Sequence, residues 1–389
     1  MSTQASKTSM DTTEVDRWLG VPLGGGQFHE EIHINDIRRW AQGMQNPNPL
    51  SYDKDYAGES VFGQIVAPQS FTVNCTVGHG ATPAIQGHIE GTHMLFGGDE
   101  WWFYGPRILP GDLIRSERML YDYVVKNTKF AGPTMFSRGD TTYINQRGEV
   151  VGKQRSTSIR YFAEEAARIG GDYGDAREDP VWSDEEIEKI EDQKHEYFKS
   201  FIELGHERRA FVKVGDKLPT RPIGPHTVAS LTTEWRSYTM NVWGATYGEG
   251  ESSTDKAGWI AEMSRDTEGA KIDPTNADGL YKGPSRGHVQ PRYARLIGMP
   301  RSCGYGATMG AWVLDYLANW GGEHGFILHS DIKYTGPAHT GDATYLNGEV
   351  TDIDYDRPNG PVATIAVRMT TQKNVIMAKG DAKVQLPAV

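Results

Sequence analysis

The sequence predicts an α+β protein made of two similar units, each an antiparallel sheet wrapped around a central helix. Three observations carry this reading of the 389 residues. Runs rich in Thr, Tyr, Val and Phe extend from His93 to Phe162 and again from His329 to Leu386, as half-buried strands require. Between them lies one strongly apolar helix candidate, Met309-Gly310-Ala311-Trp312-Val313-Leu314-Asp315-Tyr316-Leu317, with small residues at its start. A sheet wrapped around such a helix is the economical way to bury its apolar surface. The third observation is an internal echo. Pro106 to Gly111-Asp112 matches Pro337 to Gly341-Asp342, and Gly132-Pro133 to Asn145-Gln146 matches Gly360-Pro361 to Thr371-Gln372. A repeat near half the chain means duplicated domains, not a solenoid.

Residues 1–19 read as a flexible tail, Ser/Thr-rich over Met1 to Thr13 with no apolar core, so not a secretory signal. The first unit spans 20–162. A helix over His33 to Ala41 is capped by Asn35 or Asp36 and stops before the turn chemistry of Asn46-Pro47-Asn48-Pro49. Ile65 to Cys75 opens a buried helix with Pro68 near its first turn. Three long strands follow, broken at Pro110-Gly111-Asp112 and at Asn145-Gln146-Arg147-Gly148. Residues 163–209 are a charged, mostly solvated helical linker, with Ser183 as N-cap and Asp184-Glu185-Glu186 in the first turn. The second unit, 210–389, repeats the order. A helix candidate over Thr232 to Trp243 is followed by a long Gly- and Asp-rich loop, the apolar helix and four strand-like runs.

Composition narrows the partners. Lys and Arg number 40 against 51 Asp and Glu, a net charge of −11, which argues against a nucleic-acid backbone or an anionic membrane. No apolar run approaches the roughly 18–20 residues that span a bilayer. Cys75 and Cys303 cannot make a disulfide framework or a cysteine zinc site. His79, His88 and His93 have irregular spacing and no Cys or acid frame, so they read as polar loop and strand residues, not metal ligands. Gly24-Gly25-Gly26 lacks the strand–helix context of a phosphate loop. The expectation is a soluble cytoplasmic protein with no metal and no redox or nucleotide cofactor. In Asp99-Glu100-Trp101-Trp102 the aromatics pack on the central helix; lining of a substrate tunnel is the alternative.

Short motifs then carry a family resemblance. Asn46-Pro47-Asn48-Pro49-Leu50-Ser51-Tyr52, Gly63-Gln64-Ile65-Val66-Ala67-Pro68 and Gly97 to Pro106 with Pro110-Gly111-Asp112 resemble the N-terminal domain of MaoC-like dehydratases. His288-Val289-Gln290-Pro291-Arg292-Tyr293-Ala294-Arg295, Gly306-Ala307-Thr308-Met309-Gly310, Gly336-Pro337-Ala338 to Gly341-Asp342 and Gly348-Glu349-Val350 resemble the hydratase half of the same family. The resemblance implies a double hotdog, two antiparallel sheets each wrapped around a central helix. It also implies acyl thioesters, usually of coenzyme A, at the seam, and reversible addition of water across a trans-2-enoyl thioester. Self-association into homo-oligomers is implied as well.

The resemblance assigns residues, with departures. Hydratases of this group carry an Asp, an Asn-Pro pair and a His before the central helix. In the first half Asn46 and Ser51 stand at the Asp and His positions, and neither is an acid or base at neutral pH, so this half is scaffold and acyl-tail site. In the second half His288 is at the motif His, Gly283 at the Asp position, and Ser285-Arg286 replace Asn-Pro. The nearest upstream carboxylates are Asp278, the preferred catalytic acid, and Asp273. The oxyanion donor is a main-chain amide near Gly306 or Ala307, with Tyr305 where the family has a His. Arg292 and Arg295 suit coenzyme A phosphates, or an exposed helix face. The 10 Trp and 18 Tyr suit a bulky or aromatic acyl group, and equally ordinary packing. A hotdog thioesterase and a non-catalytic acyl-CoA-binding subunit are the rival readings.

Overall fold

The computed structural model describes residues 9–24, 31–76, 80–170, 174–237 and 286–388. The strand-rich runs form one antiparallel sheet of ten strands. In chain order these are β1 (Pro22–Leu23), β2 (Thr92–Phe103), β3 (Ile114–Thr128), β4 (Gly132–Asn145), β5 (Val150–Phe162), β6 (Arg221–Ile223), β7 (Phe326–Tyr334), β8 (Thr344–Asp354), β9 (Val362–Thr371) and β10 (Ile376–Gln385). Their order across the sheet is β1-β3-β4-β5-β2-β7-β10-β9-β8-β6. The two expected sheets are therefore joined edge to edge through β2 and β7, with Trp101 opposite Ser330 and Trp102 opposite His329.

The first strand-rich run holds four strands, not three. The extra break falls between Thr128 and Gly132, where Gly132 takes φ +62° and the Thr128 hydroxyl accepts the Ala131 N–H at 3.2 Å. The helices are α1 (Thr13–Asp16), α2 (Ile34–Gly43), α3 (Lys54–Glu59), α4 (Ala163–Gly170), α5 (Asp184–Ile202), α6 (Val228–Ser237), α7 (Pro291–Leu296) and α8 (Gly306–Gly321) among the described residues. α2 is capped at least two residues earlier than expected: His33 is its N-cap, and the Asp36 carboxylate accepts the His33 N–H at 2.9 Å.

The two halves differ at their centres. α8 is buried on almost every side, as a helix apolar all round must be. In the first half, Gln69–Cys75 is a fully buried 3-10 segment and not the expected α-helix. Its β-branched Thr72 and Val73 disfavour α-helix. The next 3-10 turn, Thr82–Ile85, lies so close to β4 that a Cβ at Gly139 would meet the Ala84 nitrogen at 2.3 Å.

The sequence echo corresponds to one hydrogen-bonded device made twice. Gln146 donates to Asp112 Oδ1 at 2.8 Å and accepts the Leu113 N–H at 3.1 Å. Gln372 does the same with Asp342 Oδ1, at 2.8 Å, and with the Ala343 N–H, at 3.1 Å. Each Gln ties the end of one strand to the loop that enters its neighbour. The linker segment is less solvated than expected. α5 has the Ser183 cap, with the Glu186 N–H donated to Oγ at 3.2 Å, but it buries Ile190, Tyr197 and Phe201. Tyr197 stacks on Tyr316 of α8 with centroids 6.1 Å apart, and its hydroxyl accepts from Asn319 at 3.0 Å.

The seam carries a buried carboxyl. Gly98 has φ +149°, and a Cβ there would come within 2.5 Å of the Ile332 carbonyl, so β2 approaches β7 only with glycine. The next residue, Asp99, accepts from Trp101 Nε1 (2.7 Å), Tyr334 Oη (3.0 Å) and Gln154 Nε2 (3.4 Å). Trp101 packs on Phe103 and Tyr143, as its packing role requires. Burial outweighs the three donors and pushes the Asp99 carboxyl up to about 6. An acid whose native pKa is raised contributes stability at low pH that is lost as pH rises through about 6. Urea unfolding of the wild type and Asp99→Asn across pH 4–7 should therefore show the difference moving in favour of the variant by about 3 kcal/mol. A difference that stays constant with pH would contradict the assignment.

Candidate functional site

The site is built at the N-terminal end of α8. Tyr305 is the N-cap residue, in extended conformation, and its carbonyl accepts the Thr308 and Met309 N–H groups at 3.1 and 3.3 Å. The N–H groups of Gly306 and Ala307 have no acceptor among the described residues. The first N–H groups of any helix lack intrahelical partners and carry the positive end of its dipole. Gly306 permits close packing on the first half: a Cβ there would lie 2.5 Å from Phe96 Cβ on β2. Phe96 in turn stacks on Tyr334 of β7, centroids 5.8 Å apart.

His288 ends a short 3-10 turn, Arg286–His288, just before α7. Its Nδ1 lies 2.6 Å from the Cys303 carbonyl oxygen, which fixes Nδ1 as the protonated nitrogen. Its ring stacks on Tyr305 at 3.9 Å. No described residue hydrogen-bonds Nε2, which is left with its lone pair. Removal from water pushes the imidazole down to about 4. The turn is held by the first half as well. Tyr161 Oη donates to the Ile297 carbonyl at 2.6 Å, and Gly298 is so close to α4 that a Cβ would meet Ala166 Cβ at 2.7 Å. His93, read from sequence as a plain strand residue, sits edge-on to Tyr161 at 5.8 Å. Burial and the nearby His288 lower it to about 4.

Sequence reasoning missed a carboxyl. Glu234 on α6 is 1% exposed, and neither of its oxygens has a hydrogen-bond partner among the described residues. A Cβ at Gly304 would lie 3.8 Å from Glu234 Oε2. Burial alone raises this carboxyl well above the usual range. The available signal was spacing: Leu231, Glu234 and Ser237 recur every three residues on the buried stripe of α6, where an acid is out of place.

The other sequence candidates divide. Asp278, Asp273, Gly283, Ser285 and His79 lie outside the described residues, as does the end of the helix expected over Thr232 to Trp243. Arg292 is exposed and Arg295 half-buried on α7, which packs against α4. In the first half, Asn46 and Ser51 are buried and serve the fold. Asn48 donates to Asn319 Oδ1 at 2.9 Å, Asn319 donates to Asn46 Oδ1 at 3.0 Å, and Ser51 donates to the Val66 carbonyl at 3.1 Å. Nearby, Asp315 accepts from Ser70 Oγ at 2.5 Å, and burial raises it to about 6.

Comparison with known proteins accords with this architecture. The family model described as "FAS1-like, dehydratase domain region" matches residues 17–154. A solved structure titled "MaoC-like dehydratase" superposes with TM-score 0.61 over 96% of this chain and 99% of its own, at 13% identity. A putative MaoC domain protein dehydratase from Chloroflexus aurantiacus J-10-fl covers 100% of both chains, with TM-score 0.51 and 13% identity. The fold is the MaoC-like double hotdog. In sequence, a probable enoyl-CoA hydratase alpha subunit from Thermomonospora curvata is 29% identical over 160 residues, 38% of this chain and 49% of the relative. The chain thus spans about half the length of the curated relative it matches. Among the described residues no helix is long and apolar enough to cross a membrane.

The surroundings of His288 and His93 make a direct prediction. Both rings should stay neutral from pH 8 to 5 and titrate only as pH falls through about 4. Imidazole Cε1–H NMR signals, assigned by their loss in His288→Gln and His93→Gln, would show this. A midpoint near the ordinary value of about 6.5 would contradict it.

Proposed function

We propose that the protein is a hydratase/dehydratase that adds water reversibly across the double bond of a 2-enoyl-CoA thioester. One observation carries the reading: the neutral His288, whose Nε2 no described residue hydrogen-bonds, stacks on Tyr305 immediately before the Gly306 and Ala307 N–H groups, which have no acceptor among the described residues. A thioester carbonyl at the start of α8 receives main-chain donors and the helix dipole, where enolate charge develops in the transition state. His288 Nε2 accepts a proton from water as the water oxygen attacks the β-carbon, and the Cys303 carbonyl holds the ring in the tautomer that does this. Burial supports the role. A histidine kept neutral is ready as a base throughout the physiological range.

The aromatic surroundings, Phe96, Tyr334, Tyr305 and Tyr161, support a bulky or aromatic acyl group. Arg292 and Arg295 on α7 are the proposed contacts to coenzyme A phosphates. Exposed Tyr121, Val124 and Val125 on β3 support a self-associating chain. The name of the Thermomonospora relative, an alpha subunit, supports an accessory subunit as the rival reading.

The test is a panel of trans-2-enoyl-CoA thioesters (short, long, branched and aromatic) assayed by mass spectrometry for gain of one water, with His288→Ala alongside. Hydration by the wild type that falls at least about 100-fold in kcat in the variant is expected. Binding of acyl-CoA without turnover would instead support the accessory subunit, and release of free thiol a thioesterase.

A further inference from the structure

We propose that Glu234 is the acid of this site, delivering the proton to the α-carbon that His288 does not supply; the proposal rests on the hydratase reading. Gly304 is the point where the two groups converge. The residue before it, Cys303, holds His288 through its carbonyl, and the residue after it, Tyr305, carries the His288 ring on its face. Glu234 Oε2 lies against Gly304 itself, 3.8 Å from where a Cβ would stand, within van der Waals contact of that position. Its aliphatic neighbour Leu231 flanks the same glycine, with Cδ2 3.1 Å from that position.

A buried carboxyl with two unsatisfied oxygens is a destabilising arrangement with no structural return. Asp99 and Asp315 are also buried, but each accepts at least one hydrogen bond from the protein. Glu234 accepts none from the described residues, which leaves its polar capacity for a ligand. Burial also raises its carboxyl well above the usual range, which favours the protonated form a proton donor needs.

The step balances as follows. Water gives one proton to His288 Nε2 while its oxygen bonds to the β-carbon. The π electrons of the double bond move to form the enolate, whose oxygen rests at the Gly306 and Ala307 N–H groups. The Glu234 carboxyl gives its proton to the α-carbon, the carbonyl re-forms, and Glu234 is left as carboxylate. Transfer of the His288 proton to that carboxylate restores both groups, and one water has been added. In the reverse direction Glu234 carboxylate removes the α-proton.

This last step isolates Glu234 from hydration. Saturated thioesters (butyryl-, octanoyl- and 3-phenylpropionyl-CoA) have no double bond to hydrate, yet a base at the α-carbon exchanges their α-protons with D2O. Mass spectrometry of the recovered thioesters reads that exchange. Because burial raises the Glu234 carboxyl, the wild type should incorporate α-deuterium increasingly as pH rises and the carboxyl ionises; His288→Ala should keep that rising exchange while losing hydration, and Glu234→Gln should lose both by at least about 100-fold. Glu234→Asp keeps an acid and should recover part of the exchange, which a merely structural role would not do. Exchange undiminished in Glu234→Gln, or absent from the wild type, overturns the proposal. Exchange by the wild type without hydration of any enoyl thioester would overturn the hydratase reading and leave Glu234 as the α-carbon base. Should Glu234→Gln not fold, Glu234→Asp with exchange equal to wild type at every pH tested would equally count against the proposal.

Discussion

The pairing of β2 with β7 is the constraint on which the rest of the molecule depends. Each half-sheet alone would present an open edge of unpaired N–H and C=O groups. Joining the two edges satisfies them and makes one surface of ten strands. That surface covers α8, which is too apolar to face water anywhere. The position of α8 is thereby fixed from both sides: Gly310 lies so near Asp99 and Tyr334 that a Cβ would meet each at 2.8 Å, and Gly306 meets Phe96. The helix start, whose first donors have no acceptor among the described residues, is thus set against the first half while belonging to the second.

The division of labour between the halves follows from what burial does to polar groups. In the first half the residues at the motif positions, Asn46 and Ser51, are neutral and spend their hydrogen bonds on α8, on α5 through Tyr197 and Asn319, and on the local turn. Neutral amides and hydroxyls can be buried at little cost once paired. In the second half the polar groups near Gly304 are titratable and only partly paired. Desolvation there lowers the histidine and raises the glutamic acid. A neutral base and a protonated acid are the complementary states that proton transfer in both directions of one reaction requires.

The docking of the His288 turn onto the first half gives the arrangement its precision. Tyr161 and Ala166 come from the strand and helix that close the first unit, and they hold the end of α7. His93 completes that wall. A histidine on a loop before a short helix would otherwise have many orientations. Here stacking on Tyr305 and the bond to the Cys303 carbonyl leave it one.

The sequence by itself determined the duplication, the strands and the central helix of the second half, because these rest on local chemistry. The period of apolar residues, turn residues at strand ends and the paired Asp–Gln echo are visible without neighbours, and Asp112–Gln146 and Asp342–Gln372 turn out to be the same hydrogen bonds. His288, Tyr305 and Gly306 were legible through motif frame. Tertiary structure alone decided the rest. The fusion of two sheets into one depends on which edges meet, and the 3-10 form of the buried segment Gln69–Cys75 is set in the folded structure. Glu234 is more than fifty residues from His288 in sequence, and only the packing of α6 beside Gly304 brings its carboxyl to the same loop. Its lack of partners is a property of its surroundings, not of its neighbours in the chain.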